Sequence, residues 1–151
     1  MLEKNMRSIL VLIVICGIFI IMSGCAGTDV SKFTYNENYK VNETIKGEGC
    51  YDASVLLGVD MVRAKDIAKK VIIALDSTIT DESDTLIKAQ RNRHIGVFVG
   101  SGGEELQVNL KKIDDNKTFV TVTTKTGFVG AAGQKAWSCQ IIDEMVKMAT
   151  K

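Results

Sequence analysis

Apolar and polar positions divide the chain into regimes with different periods. Ile9 to Met22 is an unbroken apolar run of 14 residues, preceded by Lys4 and Arg7. Residues 26–47 are polar and keep no sustained period. From 50 to 57 the pattern alternates: Tyr51, Ala53, Val55 and Leu57 fall on one side, and Cys50, Asp52, Ser54 and Leu56 on the other, as in a half-buried strand. Gly58 ends that strand, and Asp60 stands as a helix N-cap. From Met61 to Asp76 the period becomes that of a helix. Ala64, Ile67, Ala68, Val71, Ile72 and Leu75 share one face, while Val62 and Ile73 fall on the polar side.

The second half of the chain reads mostly as strands. Thr78–Thr80 suits a short strand, Asp81–Asp84 a turn, and 85–92 a strand with Ile87 and Ala89 inward, or a short helix. Ile95, Val97 and Val99 alternate with His94, Gly96 and Phe98 up to a turn at Ser101-Gly102-Gly103. Leu106, Val108 and Leu110 form the next strand. A turn at 114–117 leads into a strand around Val120 and Val122. These last three strands predict an antiparallel meander. A Gly-rich loop at 127–133 then opens a helix over roughly 133–149. That helix is expected to bury Trp137, Ile141, Ile142, Met145, Met148 and Ala149. The fold class expected is α+β: a two-layer sandwich with an antiparallel meander and two helices on one face.

The apolar run is shorter than the ~20 residues that a membrane-spanning helix needs, and fits the ~7–15 of a signal-peptide core. It is followed by Met22-Ser23-Gly24-Cys25, which resembles a bacterial lipobox. In such a motif two small residues precede a Cys whose sulfur takes a diacylglycerol. Three segments follow from this reading. Residues 1–24 are a lipoprotein signal peptide, 25–47 the lipidated Cys and a flexible tether, and 48–151 a single domain. One acyl chain binds a membrane only marginally and two or more hold it stably, so Cys25 would anchor the protein to a lipid bilayer. Ala26, rather than Asp, follows the Cys. By resemblance to Gram-negative sorting, this implies an outer-membrane anchor facing the periplasm.

Composition agrees with a folded domain carried by an apolar leader. Hydrophobic residues make up 46% and charged residues 25%, with a net charge of +1. Without residues 1–24 the chain has 127 residues, and its acids and bases balance. That is no electrostatic case for nucleic acid. Pro is absent, so a stiff Pro-rich spacer is excluded.

The overall pattern resembles a family of small bacterial envelope lipoproteins known only as a domain of unknown function. The residues that carry the likeness are Cys25, the helix ending Val71-Ile72-Ile73-Ala74-Leu75, Leu106-Gln107-Val108-Asn109-Leu110 and Thr118-Phe119-Val120-Thr121-Val122. It continues through Gly127-Phe128-Val129-Gly130, Ser138 and Ile141-Ile142. The likeness covers the chain from about residue 48. Lys125-Thr126 and Gly130-Ala131 stand where that family often has Arg-Val and Gly-Asp. The resemblance implies an envelope location and a compact α+β fold, and no activity.

Candidate chemistry is sparse. Of four Cys, Cys16 lies in the leader and Cys25 is the lipidation site. Cys50 and Cys139 remain, in a compartment that permits disulfides. Cys50 falls on the polar face of its strand and Cys139 at the rim of the last helix. A bridge within the chain, a bridge between chains and two free thiols are all open. His94 is the only imidazole and has no CxxC or HxxxH spacing beside it, so no metal site is expected. No nucleophile elbow surrounds any Ser. The acid pairs Glu104-Glu105 and Asp114-Asp115 sit at predicted turns, where exposed acids are ordinary. The loop at 127–133 lacks both the GxGxxG pattern and the P-loop Lys, so tight-turn glycine is its expected role. Lys65, Lys69 and Lys70 with Arg91 and Arg93 form a candidate basic patch, interspersed with acids. The reading that follows is a non-enzymatic envelope lipoprotein without cofactor, in a structural role or binding an envelope protein. The alternative is a periplasmic binder of a small hydrophobic or anionic ligand.

Overall fold

The structure, a computed structural model, describes residues 32–95, 100–126 and 134–151. Its elements are β1 (Thr44–Lys46), a 3-10 turn (Glu48–Cys50), β2 (Asp52–Leu57), α1 (Met61–Ala74), β3 (Ser77–Glu82) and β4 (Leu86–Arg91). They continue with β5 (His94–Ile95), β6 (Gly100–Ser101), β7 (Glu105–Asp114), β8 (Lys117–Lys125) and α2 (Ser138–Ala149). Six strands form an open antiparallel sheet in the order β1-β2-β8-β7-β4-β3. Both helices pack on one face. The fold is therefore α+β, as the hydrophobic pattern implies.

The core lies between that face and the helices. β2 contributes Ala53, Val55 and Leu57; β7 contributes Leu106, Val108 and Leu110; β8 adds Val120 and Val122. Ala64, Ile67, Ala68, Val71 and Ile72 of α1 meet them, with Ile141, Ile142 and Met145 of α2. Each large aliphatic side chain buried here stabilises the fold by about 1.5–3 kcal/mol. α1 starts where Asp60 Oδ1 accepts the Arg63 N–H at 2.9 Å, satisfying one unpaired donor of the first turn. It ends at Ala74, and Asp76, just past the Leu75 cap, has a φ of 55° that turns the chain away from the helix axis. Val62 and Ile73 are exposed on its outer side.

The other face of the sheet is not bare. β2 is buried along its whole length, including Asp52, Ser54 and Leu56. The half-buried strand expected from its alternation is thus corrected, because residues 33–42 lie over this face. Tyr35 and Tyr39 set their rings edge-on against Phe119 of β8, with centroids 5.5 and 4.7 Å away. The Tyr39 hydroxyl and Ser54 Oγ are 3.1 Å apart, and the Asn42 N–H donates to Leu56 O at 2.7 Å. β1 then adds a strand to the sheet edge. The tether expected over 25–47 is therefore folded in its C-terminal part, and the domain begins well before residue 48. Leu56 and Phe119 supply the reason, since an outer face carrying them gains by being covered.

One further expectation holds and another changes. The strand favoured over 85–92, with Ile87 and Ala89 inward, is β4 and pairs directly with β7. The strand expected at 95–99 is instead a short hairpin of β5 with β6, outside the main sheet, and residues 96–99 lie outside the described residues. The chain doubles back there because Arg91 N–H donates to Glu104 O and Gly103 N–H to Arg91 O, each at 2.9 Å. Those bonds leave no place between β4 and β7 for another strand. The 127–133 loop also lies outside the described residues. α2 begins at Ser138 rather than near 133, since the amides of Lys135 and Trp137 are taken by Glu104 Oε1 and Thr124 Oγ1.

Candidate functional site

Several buried polar groups among the described residues converge at one end of the sheet. The start of β2 and β7, the end of β4 and β8, the end of α1 and the start of α2 all meet there.

Cys50 and Cys139 are joined by a disulfide, across a sequence separation of 89. Two expectations about these residues need correcting. Cys50 is not in the strand but in the preceding 3-10 turn, with φ of 59°. Cys139 is not at an exposed rim; it is 7% exposed and belongs to the core. A relay of hydrogen bonds runs beside the bridge. Trp137 N–H donates to Thr124 Oγ1, Thr124 bonds Ser138 Oγ at 2.8 Å, and Ser138 Oγ donates to Tyr51 O at 2.8 Å. The neighbours of both cysteines are thereby tied to the sheet.

Glu104 is the group that sequence reasoning misplaced. Expected as an exposed turn acid beside Glu105, it is 0% exposed, whereas Glu105 is exposed. Glu104 Oε1 accepts the Trp137 indole N–H and the Lys135 backbone N–H, each at 3.1 Å. Its Oε2 is buried with no hydrogen-bond partner among the described residues. Burial alone would push this carboxyl up. Its own backbone N–H, the Trp137 indole, the Lys135 amide and the Arg91 charge outweigh that, holding it below the usual glutamate range. Glu104 is thus an acceptor rather than an acid at neutral pH.

Two cations flank Trp137. The Arg91 guanidinium carbon lies 3.8 Å and Lys135 Nζ 3.9 Å from the ring centroid. Arg91 Nε also donates to Leu75 O at 3.0 Å, at the end of α1. The candidate basic patch is consequently not assembled. Arg91 is committed here, Lys65 and Lys69 both bind Glu82, and Lys70 binds Asp66.

His94 pairs with Asp76, whose other oxygen accepts from Asn92 Nδ2 at 2.8 Å. The His94 and Asn92 bonds hold the Asp76 carboxyl below its usual range. Both side chains are exposed. Asp114 and Asp115 sit at the β7–β8 turn as expected, where Asp114 Oδ1 accepts the Asn116 N–H and Asp115 binds Lys112. Among the described residues no three His, Cys, Asp or Glu side chains gather as for a metal ion. No described helix is long and apolar enough to cross a membrane. Cys25 lies outside the described residues.

No family model and no curated protein matches this chain.

Proposed function

We propose that this protein is a bacterial envelope lipoprotein, acylated on Cys25 after loss of residues 1–24. In this reading it is anchored to the outer membrane, faces the periplasm and has a non-enzymatic structural or partner-binding role. The observation that carries this is the Cys50–Cys139 bond. Structural disulfides persist in oxidising compartments and are rare in reducing ones, so the bridge supports export of the domain. The motif Met22-Ser23-Gly24-Cys25 behind an apolar run of signal-core length supports the route and the anchor. The space between sheet and helices is packed with aliphatic side chains such as Leu57, Ile72, Leu106 and Ile141, all essentially unexposed. That packing favours a structural or partner-binding role over a carrier.

Metabolic labelling with palmitate, followed by fractionation of the envelope, tests the proposal. Wild type is expected in the membrane fraction with label, and Cys25→Ser unlabelled and soluble. Membrane retention of unlabelled Cys25→Ser would overturn it.

A further inference from the structure

The two halves of the Cys50–Cys139 bridge have unlike surroundings. Cys139 is buried, packs in the core and is the second residue of α2. Cys50 is half-buried and lies in the turn before β2, between exposed Gly49 and Tyr51. A thiol approaching from solvent therefore meets Cys50 first.

The Cys139 end is suited to hold the charge that such an attack creates. No side chain caps α2, and its first turn carries no acid. The first amides of a helix have no partner within it and carry the positive end of its dipole. A thiolate on Cys139 sits among those amides, and a stabilised thiolate leaves faster. The Cys50 end is held under constraint. Gly49 and Cys50 both have left-handed φ, 61° and 59°, a conformation that costs a residue with a Cβ. The rest of the seam does not depend on the bond. Ser138 Oγ donates to Tyr51 O, Lys46 pairs with Asp143 at 3.2 Å, and Gly47 N–H donates to Asp52 O at 2.8 Å. Opening the bridge thus frees the turn and leaves β1, β2 and α2 docked.

We infer that this disulfide is a redox-sensitive latch, opened in the folded protein by a dithiol that attacks Cys50 and expels Cys139. In the first step the attacking thiolate bonds to Cys50 Sγ, the Cys50–Cys139 bond breaks, and its electron pair stays on Cys139 Sγ. The reductant's second thiolate then attacks its own sulfur in the mixed disulfide and expels Cys50. The dithiol is oxidised to a disulfide, the bridge is reduced to two thiols, and the reductant's two protons end on Cys50 and Cys139. The inference needs the bridge but not acylation of Cys25, and it goes beyond the proposed function by making the bond exchangeable.

The full-length protein is incubated with reduced glutathione in the absence of denaturant, sampled early, quenched with iodoacetamide and mapped by peptide mass. Glutathione is expected on Cys50 about tenfold over Cys139, with iodoacetamide on Cys139. Full reduction by dithiothreitol should speed amide exchange at Glu48–Tyr51 and leave β2 and β8 protected. Glutathione on Cys139, or exchange that begins only in denaturant that unfolds the domain, overturns the directed attack on Cys50. Loss of protection across β2 and β8 on reduction makes the bridge a staple of the whole fold and overturns the latch. These readouts are separate from palmitate labelling of Cys25, so their failure leaves the lipoprotein reading standing.

Discussion

The Trp137 indole N–H donates to Glu104 Oε1 across 33 residues of chain, and both side chains are buried. The same oxygen takes the Lys135 amide, so one carboxylate ties the start of α2 to the start of β7. Glu104→Ala would leave the buried Trp137 indole N–H and the part-buried Lys135 amide without an acceptor and should cost about 3 kcal/mol in urea unfolding. Glu104→Gln keeps an acceptor and loses the charge, at a cost of about 1 kcal/mol.

The same carboxylate gives stability a pH dependence of known sign. Its folded pKa lies below the ordinary value of 4.5. It therefore contributes fully above that value, and the contribution is lost as pH falls through the lower folded one. Wild type should lose stability below about pH 4.5, and Glu104→Gln should show a flatter acid limb in otherwise matched titrations.

Tyr39 tests whether the segment before β1 is part of the domain. Its ring packs on Phe119 and its hydroxyl meets Ser54. Tyr39→Phe should cost about 1 kcal/mol and Tyr39→Ala about 2–3 kcal/mol, with faster amide exchange in β2 for the latter. A free tether would show neither effect, and protease would clip wild type within residues 33–42.

α1 is legible in the sequence because its buried positions follow the helical period and Asp60 marks its start, both local properties. The core face of the sheet is legible for the same reason, since Val108, Leu110, Val120 and Val122 alternate with polar residues. The outer face is not, because its cover comes from residues 33–42, which have no period of their own. Ser54, Thr121 and Asp52 read as solvent-facing until Tyr35 and Tyr39 are placed over the strands. Glu104 was hidden by its position beside a turn: its partner Trp137 is 33 residues away, and nothing in the spacing links them. The two cysteines were visible as candidates, whereas their approach depends on how α2 docks on β2, a long-range property.

Gly102 and Gly103 both have left-handed φ, 88° and 86°, yet they should tolerate alanine differently. A Cβ on Gly102 would lie 2.0 Å from the backbone oxygen of Asn92, so the hairpin itself has to move. At Gly103 the obstacle is the Arg93 side chain, which can swing away. Gly103→Ala should cost about 1 kcal/mol for its φ alone. Gly102→Ala should cost more, about 3 kcal/mol, with loss of the Arg91–Glu104 pairing detectable by amide exchange.

The disulfide should be the largest single contribution open to a reversible test. Cross-linking residues separated by 89 positions removes conformational freedom from the unfolded chain, about 4–5 kcal/mol at most in the chain-entropy model. Cys139 packs within the core, and Cys50 leads directly into β2 through Tyr51, whose carbonyl accepts from Ser138. The native chain thus holds the two sulfurs together through contacts on both sides of the bond. The Cys50→Ser, Cys139→Ser pair should therefore still fold, but with about 2–4 kcal/mol less stability. Wild type in reductant should unfold at the same denaturant concentration as the double variant. Maleimide should label neither residue in native, unreduced protein and both after reduction and unfolding; labelling of Cys50 before reduction would refute the bridge.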